Sequence, residues 1–95
     1  MLTISIFTYK RENSLNQCLH SLDSKYISEI LIFNDDEKKL LLLENLILNK
    51  VQKKIIKIYN PTDFGFNERK FRKPFYINKA FEICKNDLML LSDDD

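Results

Sequence analysis

Three consecutive aspartates, Asp93, Asp94 and Asp95, follow an apolar stretch at residues 88–91 that is typical of a buried strand. Carboxylate oxygens are the ligands that Mg²⁺ and Mn²⁺ prefer, and these ions often bind one or two carboxylates together with substrate phosphates. Because alternate strand residues face the same way, Asp93 and Asp95 are expected to share a side. Taken alone, the triplet is more often a solvated acidic chain end than a metal site.

A second group with chemical potential is the basic cluster Arg69, Lys70, Arg72 and Lys73. Arginine suits phosphate because its planar fork makes paired hydrogen bonds. Arg69 and Arg72 are therefore the favoured partners for a diphosphate, and a solvated basic loop is the alternative. Nucleic-acid binding with the neighbouring phenylalanines is disfavoured, because the formal net charge of the chain is only +1.

Polar residues also follow two other apolar stretches. Tyr9 offers a ring on which a nucleobase could stack, and it lies between Thr8 and Arg11. Asp35 offers a carboxylate that could accept the N–H of a base. The alternatives are a surface tyrosine that packs on the first helix and an aspartate that caps the second helix.

Several kinds of site are disfavoured by the composition. Gly65 is the single glycine, so a glycine-rich phosphate loop is excluded. His20 is the single histidine and is expected on the surface, and no Ser/His/Asp or Cys/His set supports nucleophilic catalysis. Cys18 and Cys84 are interpreted as small buried residues in a reducing compartment. Without a recognisable signal peptide or membrane span, a cytoplasmic location is expected, which leaves room for peripheral association with the inner face of a membrane.

The elements that must position these residues alternate between strands and helices. Strands are predicted at residues 2–8, 27–33, 55–59 and 88–91, and helices from Ser14, at about 38–49 and from Pro74. Ser14 and Gln17 have capping-box spacing. The first helix has the apolar stripe Leu15, Cys18, Leu19 and Leu22, and the third has Ile77, Ala80, Phe81 and Cys84.

This order predicts one α/β domain over residues 1–95, with a mainly parallel sheet of about four strands and helices on both faces. In such sheets ligands bind at the carboxyl ends of the strands. The polar residues at 9–11, 35–36, 60–63 and 93–95 are all predicted to fall there. Their convergence predicts a small-ligand site.

Four segments together resemble the family 2 glycosyltransferases, which have the GT-A fold. Thr8-Tyr9-Lys10-Arg11 resembles the family's Pro-Thr-Tyr-Asn-Arg, and Asn34-Asp35-Asp36 stands where the family has Asp-Asp-Gly-Ser. Ile77-Asn78-Lys79-Ala80 is similar to the helix before the metal motif, and Leu90-Leu91-Ser92-Asp93-Asp94-Asp95 to the strand that ends in Asp-x-Asp. The chain departs from the family where Phe7 replaces proline, and where Asp36 and Glu37 replace Gly-Ser.

The resemblance implies a Rossmann-like GT-A half-domain that binds a nucleoside diphosphate sugar, with UDP expected, together with Mn²⁺ or Mg²⁺. It implies that Asp95 ligates the metal and that Asp93 contacts the ribose or a metal-bound water, with Asp94 as the substitute if the register differs by one. It further implies that Tyr9 and Asp35 recognise the base and that a basic residue near Arg69 contacts the nucleotide. The sugar would pass to a saccharide or a lipid-linked acceptor.

In that family the acceptor site and the general base lie beyond the metal motif. The 95 residues are therefore expected to be a truncated protein or a fragment of a longer one, and to be inactive by themselves. The face that the missing part would cover is expected to cause self-association.

Two other functions are open from the residues alone. A non-catalytic α/β binding or interaction module would be indifferent to UDP and Mn²⁺. A receiver-like phosphoacceptor is the weaker alternative, because Thr8, Tyr9 and Lys10 stand where an acid pair is expected after the first strand.

Overall fold

The structure, a computed structural model, describes residues 1–22, 25–65 and 72–93. Strands and helices alternate along the chain. The elements are β1 (Leu2–Thr8), α1 (Glu12–Ser21), β2 (Ile27–Asn34), a 3₁₀ helix (Leu43–Asn45), α2 (Lys50–Ile55), β3 (Ile56–Tyr59), a second 3₁₀ helix (Pro61–Phe64), α3 (Lys73–Ile83) and β4 (Leu88–Asp93). Within these ranges, no helix has the length and apolarity needed to cross a membrane.

The four strands form one sheet in the order β3-β2-β1-β4, and every neighbouring pair is parallel. Helices α1 and α2 pack on one face and α3 packs on the other. The predicted fold class is confirmed. The chain runs outward from β1 to β2 and β3, and then returns to place β4 on the opposite side of β1. Because the direction of winding reverses there, the topological switch point lies between β1 and β4.

Strand β1 is central and is covered on both faces. Ile4 and Ile6 pack against the fully buried Leu15 and Leu19 of α1, which belong to the predicted apolar stripe. Burying such a side chain contributes roughly 1.5–3 kcal/mol. The opposite face of β1 carries small hydroxyl residues and Phe7, and it lies under α3. A strand between two layers of helix explains why β1 carries no charged residue.

Buried hydroxyl groups of β1 are hydrogen-bonded. Thr3 Oγ1 donates to Glu29 Oε1 over 2.9 Å, and Ser5 Oγ donates to Met89 Sδ over 3.1 Å. Both hydroxyl residues are fully buried. These bonds offset the cost of removing polar groups from water, so they link β1 to β2 and β4 through side chains as well as backbone.

Helix α1 begins two residues earlier than predicted. Its first residue is Glu12, and the preceding Arg11 accepts the first helical bond, from the amide of Leu15 over 2.8 Å. The predicted capping box of Ser14 and Gln17 is therefore wrong, since both residues lie inside the helix. The acidic Glu12 in the first turn interacts favourably with the helix dipole.

The predicted helix at residues 38–49 is wrong. Backbone groups in this stretch bond to asparagine side chains instead of forming a helical ladder. Asn34 Nδ2 donates to the carbonyl of Lys39 over 3.0 Å, and Asn60 bonds both the N–H and the carbonyl of Leu41, over 2.8 and 3.0 Å. Asn34 and Asn60 also bond each other over 2.9 Å. Two distant asparagines thus hold the leucine-rich stretch in an irregular path.

The helix in this part of the chain is α2, which starts after Asn49. Asn49 Oδ1 accepts from the amide of Gln52 over 2.8 Å, and Gln52 Oε1 accepts from the amide of Asn49 over 3.2 Å. This reciprocal pair is a capping box. Gln52 Nε2 also donates to the carbonyl of Leu19 over 2.8 Å, which ties α2 to α1.

Helix α3 has Pro74 in its first turn, as predicted, but its buried face differs from the predicted stripe. Tyr76 and Ala80 are buried against the sheet, whereas Phe81 is 60% exposed. The tyrosine faces inward because its hydroxyl donates to the carbonyl of Asn34 over 3.0 Å. A tyrosine hydroxyl can be buried in a core when it has a hydrogen-bond partner. Because Tyr76 faces the sheet, the buried face of α3 is rotated away from Phe81.

Candidate functional site at the carboxyl edge of the sheet

The carboxyl ends of β1, β2 and β4 lie side by side because the three strands are adjacent and parallel. In register, Thr8 of β1 pairs with Asn34 of β2, and Phe7 pairs with Asp93 of β4. The amide of Asp35 continues this pairing with a 2.9 Å bond to the carbonyl of Thr8. The polar residues after three strands therefore converge on one edge.

Arg72 and two acidic residues form a buried ion-pair cluster beside the end of β2. Arg72 Nε donates to Asp35 Oδ1 over 2.5 Å, and Nη2 donates to Glu37 Oε2 over 2.8 Å and to the carbonyl of Asp35 over 3.0 Å. The Arg72 side chain is 1% exposed. Loss of hydration lowers the pKa of Arg72, but the bonds to Asp35 and Glu37 outweigh this and raise it. The guanidinium is therefore held charged and fixed.

Tyr76 lies one helical turn beyond Arg72, and its amide donates to the Arg72 carbonyl over 2.9 Å. Burial, followed by the negative charge of Asp35, raises the pKa of Tyr76 to about 12. The phenol is thus a neutral donor to Asn34. Its ring packs in a tilted arrangement against Phe33 and Phe64, which fixes the start of α3 over the sheet.

Lys73 and Asp93 form an ion pair at the topological switch point. Lys73 Nζ lies 2.6 Å from Asp93 Oδ1 and 5.7 Å from the centroid of the Phe7 ring. The side chains are 42% and 55% exposed. An ammonium group and a carboxylate that face solvent where winding reverses lie at the position where ligands bind in such sheets.

A cavity of about 260 Å³ opens between the ends of β1 and β2 and the start of α1. Its walls combine cations and hydrogen-bonding groups with leucines. The polar and charged lining includes Thr8, Lys10, Arg11, Asn34, Asp36 and Lys39. Such a concave site with a few polar groups suits a small ligand that carries both flat apolar and polar parts.

Lys10, at the mouth of this cavity, has a left-handed backbone with φ of 54°. A residue with a side chain adopts this region at a cost of roughly 1–2 kcal/mol, and asparagine adopts it more readily than most. Lys10 stands where the resembled Pro-Thr-Tyr-Asn-Arg pattern has asparagine. Its ammonium lies 5.2 Å from the centroid of the Tyr9 ring.

The predicted site residues fall into three neighbouring groups. Thr8 and Arg11 line the cavity, whereas the Tyr9 ring lies near the Lys10 ammonium and is not part of the lining. Asp35 pairs with Arg72, and Asp93 pairs with Lys73. Asp35 caps no helix, since the stretch that follows it is irregular. Arg69, Asp94 and Asp95 lie outside the described residues. Among the residues that are described, no three Asp, Glu, His or Cys side chains gather as a metal-ligand group.

Sequence reasoning missed Glu37 and Tyr76 as parts of this edge. In the sequence Glu37 stands out only as a departure from the family's Gly-Ser. In the structure its carboxylate forms an ion pair with the guanidinium of Arg72. For Tyr76, the helical spacing from Ala80 was the single feature of the sequence that indicated a buried position. Because proline is common in the first turn of a helix, the position of Lys73 directly before Pro74 was a signal that its ammonium lies at the start of a helix.

Comparison with known proteins identifies no relative of this chain. No protein-family model matches the chain, and no curated protein or solved structure is significantly similar to it.

Proposed function

We propose that this chain forms the nucleotide-binding part of a glycosyltransferase of the GT-A type. It would bind a nucleoside diphosphate sugar, with UDP as the expected nucleotide, together with Mn²⁺ or Mg²⁺. The observation that carries this proposal is the solvent-facing Lys73–Asp93 pair at the switch point between β1 and β4, at the same carboxyl edge of the sheet as a cavity at the ends of β1 and β2.

The two members of this pair have the charges that a metal diphosphate requires. A lysine ammonium attracts phosphate oxygens, and an aspartate oxygen is a hard ligand for Mg²⁺ or Mn²⁺. One carboxylate is sufficient where substrate phosphates supply further ligands. An exposed ion pair contributes at most about 1 kcal/mol to stability. Lys73 and Asp93 could therefore separate at little cost and bind the phosphates and the metal instead of each other.

The cavity suits the nucleoside part of such a ligand. Its volume of about 260 Å³ is slightly below the ~300–1,000 Å³ of pockets that enclose drug-sized molecules. A base and part of the ribose would fill it, next to Lys10 and Arg11, and the diphosphate and sugar would lie in the open crevice near Lys73. The left-handed Lys10, at the position of the family's asparagine, supports the same interpretation.

Arg72 has a supporting role in this proposal. Its guanidinium is buried and already bonded to Asp35 and Glu37, so it would hold the Asp35 carboxylate in a fixed direction. The cavity proposed for the base is lined by Asp36 and not by Asp35. Lys73 is then the described member of the basic cluster that would face the phosphates, and Arg69 remains a sequence-based candidate. The proposed location is the cytoplasm, and the proposed acceptor is a saccharide or a lipid-linked saccharide.

The test is thermal unfolding of the 95-residue protein with UDP, with Mn²⁺ and with both. A ligand that binds only the folded state stabilises it by about 2.7 kcal/mol at one hundred times its dissociation constant. In a domain of this size that corresponds to a rise of about 10 °C in Tm. We expect the rise to need both components and to disappear in Lys73→Met/Asp93→Asn.

The matched control is Lys79→Met/Glu82→Gln, which removes a partly exposed ion pair of α3 with an N–O distance of 3.4 Å. This variant should keep the full rise. No shift with UDP and Mn²⁺, or a shift of equal size in Lys73→Met/Asp93→Asn, would overturn the proposed site and favour the non-catalytic α/β module.

A further inference from the structure

Five aliphatic side chains are exposed along one segment, residues 38–57, which adjoins the proposed site because Lys39 and Leu40 also line its cavity. Ile47 and Val51 are 76% and 67% exposed, and the others are 45–47% exposed. The five are Leu40, Leu42, Leu43, Ile47 and Val51. Apolar side chains that gather on a surface in this way mark an interaction site more often than chance exposure does.

The backbone holds these side chains outward. Asn60 bonds both backbone groups of Leu41, and Asn16 Oδ1 accepts from the amide of Ile47 over 2.9 Å. Val51 is in the first turn of α2, which the Asn49–Gln52 capping box fixes. Since the path of segment 38–57 is set by these bonds, its leucines are not simply side chains of an unstructured loop.

The charges of segment 38–57 are nearly all of one sign. It contains six lysines and one acidic residue, Glu44, and it has no arginine and no aromatic residue. The whole chain, by contrast, has a formal net charge of only +1. The six lysines are all exposed: Lys38, Lys39, Lys50, Lys53, Lys54 and Lys57.

Two of the leucines and one of the lysines line a common surface. Leu42 and Leu43 line two shallow hollows of about 330 and 610 Å³, and Asp63 also lines the smaller one. Lys53 of α2 lines the larger hollow with them, as does Glu44. Apolar side chains flanked by flexible cations are the arrangement with which proteins lie on a lipid surface, where aliphatic groups enter the headgroup boundary and lysine stems extend to the phosphates.

We propose that segment 38–57 is a membrane-surface docking site for anionic lipid headgroups. The charge pattern favours this partner over a protein, because protein interfaces are enriched in aromatic residues and arginine and depleted in lysine. It also disfavours a second copy of the same surface, because two lysine-rich faces repel each other. The proposal does not rest on the proposed nucleotide site, although Lys39 and Leu40 line the cavity of that site as well.

The test is flotation of the 95-residue protein with vesicles of phosphatidylcholine alone and of phosphatidylcholine with phosphatidylserine. We expect binding to the anionic vesicles only, with a loss at high salt. Each lysine near such a surface contributes roughly a fivefold factor. Lys50→Gln/Lys53→Gln/Lys54→Gln should therefore lower the partition coefficient by roughly a hundredfold.

The apolar contribution is tested by Ile47→Ser/Val51→Ser, which should lower the partition coefficient by at least about tenfold. Its matched control is Leu88→Ser/Leu90→Ser, which changes two aliphatic residues of β4 that are 68% and 56% exposed. The control should float like the unaltered protein. Circular dichroism of each variant checks that its fold is retained.

Three results would overturn the proposal. They are no flotation with anionic vesicles, equal flotation of the unaltered protein and Ile47→Ser/Val51→Ser, and an oligomer in light scattering that Ile47→Ser/Val51→Ser converts to a monomer. The last result would assign segment 38–57 to contacts between copies of the chain.

Discussion

Arg72, the residue before α3, donates a 2.5 Å hydrogen bond from its Nε to Oδ1 of Asp35, the first residue after β2. The two residues are 37 positions apart in the chain. Their contact closes the carboxyl edge of the sheet on the α3 side. It also fixes the direction of the Asp35 carboxylate.

We expect Arg72→Ala to lower the free energy of unfolding by about 3–5 kcal/mol. The substitution leaves Asp35 and Glu37 facing each other in a largely buried place, and removing one partner of a buried ion pair has effects of this size. Urea denaturation measures the change. Lys73→Ala, which breaks an exposed pair, is the control and should cost less than about 1 kcal/mol.

Arg72→Lys separates charge from geometry. Lysine keeps the positive charge but cannot bond Asp35 and Glu37 through one planar fork. A loss close to that of Arg72→Ala would show that the fork matters, whereas full stability of Arg72→Lys would contradict the described role of the guanidinium.

Stability should fall in alkaline solution as Tyr76 ionises. Its pKa is raised from 10.0 to about 12, chiefly by burial, so the unfolded chain loses this proton first. The contribution of Tyr76 is therefore complete below pH 10 and is lost between pH 10 and about 12. It amounts to roughly 2–3 kcal/mol. The raised pKa of Tyr59, due first to burial, acts in the same direction.

Urea titrations from pH 8 to 11.5 measure this effect. Tyr76→Phe should show a flatter pH dependence, and it should lose about 1 kcal/mol at pH 8 with the bond to the Asn34 carbonyl. Tyr26→Phe, at a residue that is 64% exposed, should change neither quantity. An unchanged slope in Tyr76→Phe would mean that other groups cause the alkaline loss.

Asn60→Ala should release the leucine-rich segment from the sheet edge. The substitution leaves the N–H and carbonyl of Leu41 without their partner, and each such unmade bond costs about 1–3 kcal/mol. The side-chain amide of Asn34 loses one of its acceptors but keeps the carbonyls of Asp36 and Lys39. We expect a loss of at least about 2 kcal/mol and faster hydrogen exchange at the Leu41 amide. Asn78→Ala, on an exposed position of α3, should stay within about 0.5 kcal/mol of the unaltered protein.

Lys10→Gly should raise the free energy of unfolding by up to about 1 kcal/mol. Glycine adopts the left-handed region without steric cost, and this gain exceeds its entropic penalty. Lys10→Val should instead destabilise the protein, because a β-branched residue fits φ of 54° poorly. Equal stabilities of the two variants in urea denaturation would contradict the left-handed conformation.

Strand β4 should make the isolated chain self-associate. One of its edges is unpaired among the described residues, and Leu88, Leu90 and Leu91 are 44–68% exposed. Such an edge favours contact between molecules. Light scattering should detect oligomers at high concentration, and Leu88→Lys/Leu90→Lys should reduce them. A monomer at every concentration would count against this expectation.

The strands and the fold class were predictable because they follow from local patterns. The alternation of apolar runs with turn residues located all four strands to within two residues at either end, and strand-helix alternation implied the parallel sheet. The stretch at 38–49 was not predictable in this way. Its backbone partners are Asn34 and Asn60, and neither lies in the stretch that they hold.

The candidate site shows the same division. The strand-end rule located Thr8, Asp35 and Asp93 at one edge because it depends only on strand direction. The partners of Asp35 and Asp93 depend instead on where α3 crosses the sheet, which no local pattern encodes. Arg72 and Lys73 thus belong to one basic cluster in the sequence. In the structure Arg72 is buried against two acidic residues, whereas Lys73 faces solvent.

The position of β1 between β2 and β4 has a consequence for how the protein acquires its structure. Ser5 and Met89, which bond each other, are 84 positions apart, so β1 stays open on one side until β4 arrives. Closing so long a loop is entropically costly, and topologies with distant contacts fold slowly. During synthesis β1 emerges before the other three strands, and its pairing with β4 forms only after both β2 and β3 have emerged. Until then, its exposed hydrogen-bonding edge is open to other chains.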